Sequence, residues 1–436
     1  MGRIAPHIRP APPYEFRNEA GGILMRVPEA EIGADGWFTH YMIYQPGLEI
    51  ALRQKIADYP NVDVRLGAGF TGFTPDGHGV ALGWAADGAD HEARATWLVG
   101  CDGASSLVRK TAGIGLDDYG FDEPWLVVDA LVADDALLPD CCVQYCHPAR
   151  PTTCTPLGPG RHRWEFMIVP GDDPVRIVED ESIERLLAPW GGPANLLIER
   201  KAVYHFHGLV AEHWRRGPVL LAGDAAHQMP PFAGQGMCGG IRDAENLAWK
   251  LAAVLRGDAP ATLLDSMQQE REPQVRGITE MAIGAGRIVC TTDPAVAARR
   301  DAEAAERAAR NEPAPSLPVP PLGSSPMLRG DAASGGMFPQ FISAARRRSD
   351  DVLGAGPWLI HAGPAPADAA GLACFEAGAA PLDQFGTAFA DWLAARGAEA
   401  VLVRPDRVVF GTGPAGRLVR DWRAAMAGRA LAGAAA

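Results

Sequence analysis

Two spacings alternate along the chain. Short runs with every second residue apolar predict strands at Ile23–Val27, Val62–Leu66, Gly79–Trp84, Trp125–Val132, Val143–His147, Arg163–Val169 and Ala202–Phe206. Brief, mostly apolar runs predict strands at Trp97–Gly100, Pro218–Ala222, Trp358–His361, Ala400–Val403 and Arg407–Phe410. Apolar residues at helical spacing (Leu48, Ala51, Leu52, Ile56) predict a helix from Gly47, with Pro46 in its first turn. The same period predicts helices at Ser182–Ala188, Gly236–Leu255, Leu264–Val289, Phe385–Arg396 and Arg417–Met426. Asp293 followed by Pro294 reads as an N-cap and first helical residue, opening a polar helix to about Arg310.

The order of these elements suggests a β-rich insert between two α/β segments, and then a second, smaller α/β unit. A Pro-rich stretch, Asn311 to Pro326, predicts an extended spacer before that unit. The boundaries fall at 1–112, 113–210, 211–310, 311–345 for the linker and 346–436 for the last unit.

Composition narrows the function classes. The 436 residues are 47% hydrophobic and 21% charged, which is ordinary globular usage. The net charge of −13 has the wrong sign for a nucleic-acid surface. No apolar run approaches the ~18 residues that cross a bilayer, so no membrane contact is expected and the expected location is cytoplasmic. The eight cysteines form no C-x-x-C pair and read as reduced thiols. Cys142 and Cys146 have zinc-like spacing, but no second spaced pair follows, so no metal site is expected there or elsewhere.

Two segments match G-x-G-x-x-G, at Gly67–Gly72 and Gly411–Gly416. Dinucleotide binding needs a strand before, a helix after, and an acid on the next strand. The first match runs into the Pro75-Asp76-Gly77 turn, and the second lacks the later strand. Both are read as decoys. The informative segments are Trp97–Arg109, with Asp102-Gly103 at a strand end, and Gly217–Gly236, which runs from a strand through Gly223-Asp224 and Pro231 into a helix. An aspartate beyond a strand end can accept hydrogen bonds from polyol hydroxyls. Backbone N–H groups at a helix start, here Gly236 and Met237, can hold developing negative charge. Gly234 and Gly236 permit a flat ring to approach the backbone.

These segments resemble the Asp-Gly and Gly-Asp motifs of the class A FAD-dependent aromatic hydroxylases, which have the para-hydroxybenzoate hydroxylase fold. Further resemblance lies in Tyr44-Gln45-Pro46, Arg163–Gly171, the continuation to Arg271, and Val403–Arg407. Within the group the chain is most similar to 3-(3-hydroxyphenyl)propionate hydroxylases. The resemblance implies that Asp224 binds the ribityl chain of FAD. It puts Gly236 and Met237 at the flavin edge and Pro231 near the reactive face, with Gly223 and Gly234 also among the cofactor-binding residues. Asp102 and Gly103 would lie by the pyrophosphate and the nicotinamide path, Arg109 closes the Asp-Gly motif as a further cofactor-binding residue, and Gln45 would touch the flavin. No catalytic side chain is singled out, and His227 is read as a packed structural residue. Cys238 stands where many members of the wider group have Asn.

The implied fold is α/β. It comprises a glutathione-reductase-type Rossmann domain, a β-rich substrate domain and a C-terminal thioredoxin-like domain that lacks a redox C-x-x-C. The implied reaction uses NADH or NADPH to reduce FAD, adds O2 to give a C4a-hydroperoxide, and hydroxylates a phenolic acid. The expected partners are that small molecule, O2 and a second copy of the chain in a homodimer. One departure stands out: the strand, G-x-G-x-x-G and helix that open the family are not found. This sequence is therefore expected to carry an incomplete FAD-binding domain that holds FAD poorly. A truncated, non-catalytic homologue and a hydroxylase of larger polyketide-like phenols are the alternative readings.

Overall fold

The longest elements are two neighbouring antiparallel strands, Leu116–Val132 and Leu196–Ala211, of 17 and 16 residues. The computed structural model describes residues 2–312, 319–363, 365–369 and 371–429. Those two strands are second and third in an eight-stranded sheet. Its order is His227–Gln228, Leu196–Ala211, Leu116–Val132, Arg161–Met167, Thr152–Pro156, Cys142–Tyr145, Tyr14–Arg17 and Ile23–Val27. All neighbours are antiparallel except Cys142–Tyr145 beside Tyr14–Arg17. The sheet thus recruits two strands from the first 30 residues, far from the rest in sequence.

Both faces of this sheet are covered along its middle. On one, Leu126, Val128, Ala130, Trp164 and Phe166 pack against Ile183 and Leu187 of the helix Asp180–Leu187. On the other, Phe16, Trp125 and Met167 pack with Phe232 and with Ile283 and Val289 of the helix Asp265–Val289. Alternation along Arg161–Met167 sends Phe166 and Met167 to opposite faces, so only Met167 shares a cluster with Phe232.

A smaller sheet has the order Arg215–Arg216, Val219–Leu221, Leu98–Gly100, and its last two strands run parallel. The helices Gly236–Leu255 and Asp265–Val289 pack beside it, and Leu247 and Met267 join its core. The last 80 or so residues build a four-stranded sheet, Ala373–Glu376, Trp358–His361, Ala400–Val403, Val409–Gly413, flanked by helices Ala388–Ala394 and Ala415–Met426. Its buried Leu359, Leu402 and Phe410 share a cluster with Ala253 and Leu263 near the two long helices.

Of the spacer, residues 313–318 lie outside the described residues, and from Val319 the chain forms no helix or strand until Ser349–Leu353. Gly323 crosses the helix Asp265–Val289 where Pro273 interrupts it. Proline has no N–H for the carbonyl of Gln269, and a Cβ on Gly323 would lie 2.2 Å from that oxygen. The Gly323 N–H donates to the Glu270 carbonyl at 2.8 Å.

Several expectations need correction. Val62–Leu66 is not a strand: Val62, Val64 and Leu66 are all exposed, and the alternation there has no partner to pair with. The helix expected over Phe385–Arg396 is shorter, Ala388–Ala394, because Gly386 intervenes after a separate turn at Leu382–Phe385. The last strand begins at Val409, since Arg407 adopts a positive φ in the preceding turn. The first G-x-G-x-x-G lies along the strand Gly69–Pro75 of a three-stranded antiparallel sheet, and no helix follows it. The second joins the strand Val409–Gly413 to the helix Ala415–Met426.

Candidate functional site

Parallel pairing of Leu98–Gly100 with Val219–Leu221 fixes the site. Because the strands run the same way, Asp102 and Asp224 both emerge at their carboxyl ends, the usual position for ligands in parallel α/β sheets. Ala222 N–H donates to the Gly100 carbonyl at 3.0 Å and extends the pairing to the last residue before the loop.

Asp102 organises the first loop. Its carboxylate accepts from Ser106 Oγ at 2.5 Å and from the Val108 N–H at 3.0 Å, while Ser106 caps the helix Leu107–Thr111 by accepting from the Arg109 N–H at 2.9 Å. Partial burial pushes the Asp102 carboxyl up. The Ser106 hydroxyl and the backbone N–H groups outweigh that and hold it below the usual range. Arg109 ties the two loops together. Its buried guanidinium donates to the Ala225 carbonyl at 2.8 Å and to the Ala104 carbonyl at 3.0 Å. Gly103, at φ +77°, turns the chain between Asp102 and these contacts.

Asp224 differs from Asp102. It sits in the single turn Gly223–Ala225, reaches solvent, and accepts no hydrogen bond from any described residue. The protein around it nevertheless pushes its carboxyl up, and His227 opposes this. Gly223 takes φ +59° and packs on Gly240, where a Cβ would stand 3.4 Å from the Gly223 Cα. This close approach brings the first turns of the helix Gly236–Leu255 against the Asp224 loop. Gly234, at φ +62°, ends the turn Pro231–Ala233, and a Cβ there would meet nothing within 4 Å. Gly236 opens the helix, and Met237 is 36% exposed beside it. The open face beside Pro231, Gly234 and the helix start therefore offers a free N-terminus and an unencumbered backbone.

Beneath the loop lies a charged network that sequence reading missed. Asp243, fully buried, accepts from the Gly223 N–H at 2.9 Å, His227 Nε2 at 2.7 Å and Arg271 Nε at 2.8 Å. Arg271 also donates to the Gly239 carbonyl at 3.2 Å. Burial pushes the Asp243 carboxyl up, and the partners His227 and Arg271 pull it below its ordinary value. His227 is buried and its ring tilts over Trp214, in keeping with a packed structural role.

Gln45 is not brought to this cluster by any contact. It is the exposed first residue of the helix Gln45–Ile56, next to a two-stranded sheet, Ile8–Pro10 with Tyr41–Ile43. A second missed feature is a polar chain near Phe232. Gln144 Nε2 donates to Tyr14 Oη at 2.7 Å, Thr153 Oγ1 donates to Gln144 Oε1 at 2.9 Å, and Tyr14 Oη lies 3.5 Å from the Phe232 carbonyl. Burial pushes the neighbouring Glu165 carboxyl up. The only signal for Tyr14 in the sequence was its alternation with Phe16. The clustered cysteines 141, 142, 146 and 154 are buried free thiols, and burial pushes Cys146 up to about 12.

The residues fit a flavin at three points: an unpaired carboxylate at a strand end, an open Gly234, and a free helix start. The comparisons agree. A family described as "FAD binding domain" matches residues 14–282. The chain is 37% identical to a probable NADH-specific resorcinol 4-hydroxylase of Rhodococcus jostii (strain RHA1) over 91% of this chain and 78% of that protein. It is 36% identical to a 3-(3-hydroxy-phenyl)propionate/3-hydroxycinnamic acid hydroxylase of Klebsiella pneumoniae (strain 342), over 58% of this chain and 46% of that protein. The corresponding Burkholderia cenocepacia (strain HI2424) enzyme is 34% identical over 75% of this chain and 62% of its own length. Among solved structures, the flavin-dependent monooxygenase PieE in complex with FAD and substrate superposes with a TM-score of 0.76 at 23% identity, over 96% of this chain and 88% of that one. Aklavinone-11 hydroxylase in a ternary complex with FAD and aklavinone gives 0.73 at 22% identity, over 95% and 85%. The architecture is thus the mixed α/β fold of these flavoproteins, and among the described residues no helix is long and apolar enough to cross a membrane. By sequence and by fold, this chain belongs to the FAD binding domain family that includes the FAD-dependent aromatic hydroxylases.

Proposed function

We propose that this protein is an FAD-dependent, NADH-oxidising hydroxylase of a small phenolic substrate, with resorcinol and 3-(3-hydroxyphenyl)propionate as the reference compounds. The carrying observation is Asp224, exposed and unpaired at the carboxyl end of a parallel strand, beside the open Gly234 and a helix start. The names of the relatives at 34–37% identity support the reaction class. The resorcinol enzyme, aligned over the larger share of the chain, supports NADH and a single-ring phenol.

In this reading Asp224 holds the ribityl hydroxyls, and the N–H groups of Gly236 and Met237 stabilise negative charge at the flavin edge. Pro231 and Gly234 border the ring. Asp102, Gly103 and Arg109 shape the pyrophosphate side, and Gln45 approaches the ring from the helix it begins. When bound, FAD carries electrons from NADH to dioxygen, and the oxygen is delivered to the phenol. This chain's residues bind, orient and exclude water. The aromatic cluster of Phe16, Phe121, Trp125 and Phe232 closes the substrate side, and the Tyr14 hydroxyl, held by Gln144, is the polar group at that wall. No side chain acts as a covalent nucleophile.

The domain reading is part of the same proposal. Residues 1–112 and 211–310 supply the portion of a glutathione-reductase-type Rossmann domain that this chain carries. The β-rich region is the substrate floor, and the C-terminal unit is thioredoxin-like, packing or contacting a second copy in a cytoplasmic homodimer. Among the described residues neither G-x-G-x-x-G segment has the strand, helix and later acid that an ADP half needs.

Quenching of flavin fluorescence during titration with the purified chain, followed by NADH oxidation at saturating FAD with each phenol, tests the reading. Saturable binding and phenol-dependent, product-forming oxidation support it. A folded chain that takes up no flavin at any concentration overturns it in favour of a non-catalytic homologue.

A further inference from the structure

The eight-stranded sheet carries a second cluster of chemistry-bearing side chains, away from Asp102 and Asp224. His207 is directly opposite Asp122 across the two longest strands, and His205 is two residues back on the same strand. The pleat sends residues two apart to one face, and cross-strand partners share that face. Phe206, between the two histidines, points the other way. It stacks on Trp125 at 5.7 Å between ring centroids and meets Phe232 edge-on at 6.0 Å. Asp122, His205 and His207 therefore project together from the opposite face, past the end of the cover that the helix Asp180–Leu187 provides over Leu126 and Val128. Their side chains are 61%, 55% and 34% exposed.

We propose that Asp122, His205 and His207 bind one divalent late-transition-metal ion of the zinc class. The ligand set is right for such an ion: two imidazoles and one carboxylate suit zinc, nickel or cobalt rather than magnesium or calcium. The spacing is right as well. A tetrahedral ion with bonds of about 2.0–2.1 Å holds its ligand atoms about 3.4 Å apart. Here Asp122 Oδ1 lies 2.9 Å from His205 Nδ1 and 3.6 Å from His207 Nδ1, and the three donor atoms all fall within 4.8 Å of one another. The two imidazoles are near-parallel at 17°, so small rotations about their side-chain bonds suffice to converge both nitrogens on one point. All three ligands lie on strands held together by backbone pairing, which preorganises them. One or more coordination positions stay open to water, because only three protein groups converge. The bound ion would staple the two strands at the point where they lie behind Phe206 and Phe232. The chain's net charge of −13 favours cation capture generally but does not choose the position. The ligand set does.

The test uses the untagged 436-residue chain, stripped with EDTA and titrated with ZnCl2 by isothermal calorimetry. One ion per chain is expected. His205→Ala and His207→Ala should each weaken binding at least tenfold, because even outer-shell changes commonly cost 10–100-fold. His78→Ala, at a histidine on a remote turn, should change nothing. Titration with CoCl2, read by visible absorption bands of nitrogen and oxygen ligation, and zinc-induced shifts of the His205 and His207 ring nitrogens in NMR need no variant. They decide the matter even if a substitution disturbs folding. Absence of zinc binding, or stoichiometric binding unchanged in the double His205→Ala/His207→Ala variant, overturns the proposal.

Discussion

Two buried ionic networks lie along the same pair of helices, and their difference separates a region that ends on an unpaired, exposed carboxylate from one in which every charge is paired. On Asp265–Val289 the adjacent residues Glu270 and Arg271 point into different networks. Arg271 meets Asp243, which holds His227 and the Gly223 N–H under the Asp224 loop. Glu270 meets Arg404 of the C-terminal unit through two contacts of 2.9 Å, together with Lys250, Asn246 and Ser325. Arg404 is joined in turn to Asp406, which also accepts from Trp249 Nε1 at 3.0 Å. Burial pushes the Lys250 ammonium down to about 8 and pushes the Glu270 carboxyl up, but Arg404 and then Lys250 outweigh burial and hold Glu270 below its ordinary value. Every charge in this second network has a partner. The first network is equally buried, but it stops one residue short of the exposed, unpaired Asp224. What it stabilises is the backbone of a loop whose own carboxylate remains available.

The largest effect is expected at Glu270→Gln, which leaves Lys250 buried without its counter-charge and Arg404 with Asp406 alone. Removing one partner of a buried pair costs about 3–5 kcal/mol. Urea unfolding should show that loss, and limited proteolysis should cut faster within 311–345 as the C-terminal unit loosens. If the stability is unchanged, the two networks are not comparable in weight. Asp243→Asn is next, at about 3 kcal/mol, since it leaves the buried Arg271 without its carboxylate. Here the diagnostic readout is flavin affinity, which should drop with Asp243→Asn and hold in Glu270→Gln at a temperature where both are folded.

Acid gives a third comparison. Glu270 and Asp243 are both held below their ordinary values, 4.5 and 3.8, in the folded chain. Their stabilising contribution is complete above the unfolded carboxyl range and is lost as the pH falls through about 4.5 and below. Melting temperatures should therefore fall steeply under pH 4.5 in the parent, and less steeply in either variant. The smallest effect on folding is expected at Asp224→Ala. With no hydrogen bond to lose, stability should stay within about 0.5 kcal/mol. FAD affinity should nevertheless fall roughly tenfold, as for one charged hydrogen bond of about 1.4 kcal/mol. A large stability change there would mean that Asp224 belongs to the loop's own framework.

The loops that define the site were legible because each is local. Asp102 with Ser106, and Gly223-Asp224 with the helix start at Gly236, lie within segments of some twenty residues whose turn chemistry is written in order. Asp243 and Arg271 were not legible, because their meeting depends on two helices packing, and neither stands out as anything but a charge on an amphipathic helix. The two longest strands were read only in part, one in its second half (Trp125–Val132) and the other in its middle (Ala202–Phe206). Asp117-Asp118 and Glu199-Arg200-Lys201 break the alternation, and a bulge between His207 and Leu209 shifts its phase. Val62–Leu66 failed for the opposite reason: it has the pattern but no neighbour, and pattern without a partner is not a strand.

The meeting of Gly323 with the broken turn at Pro273 has a consequence for how this sequence tolerates change. The spacer donates its N–H to one helix carbonyl and passes over the next too closely for any side chain. A slip of one residue in either direction would drive Leu322 or Ser324 into that oxygen. The spacer is thus indexed to the helix at Gly323, between the Pro320 carbonyl that accepts from Gln274 and the Ser325 hydroxyl that donates to Glu270. Insertions and deletions within it are compatible with the fold where they leave the notch at that crossing filled by glycine.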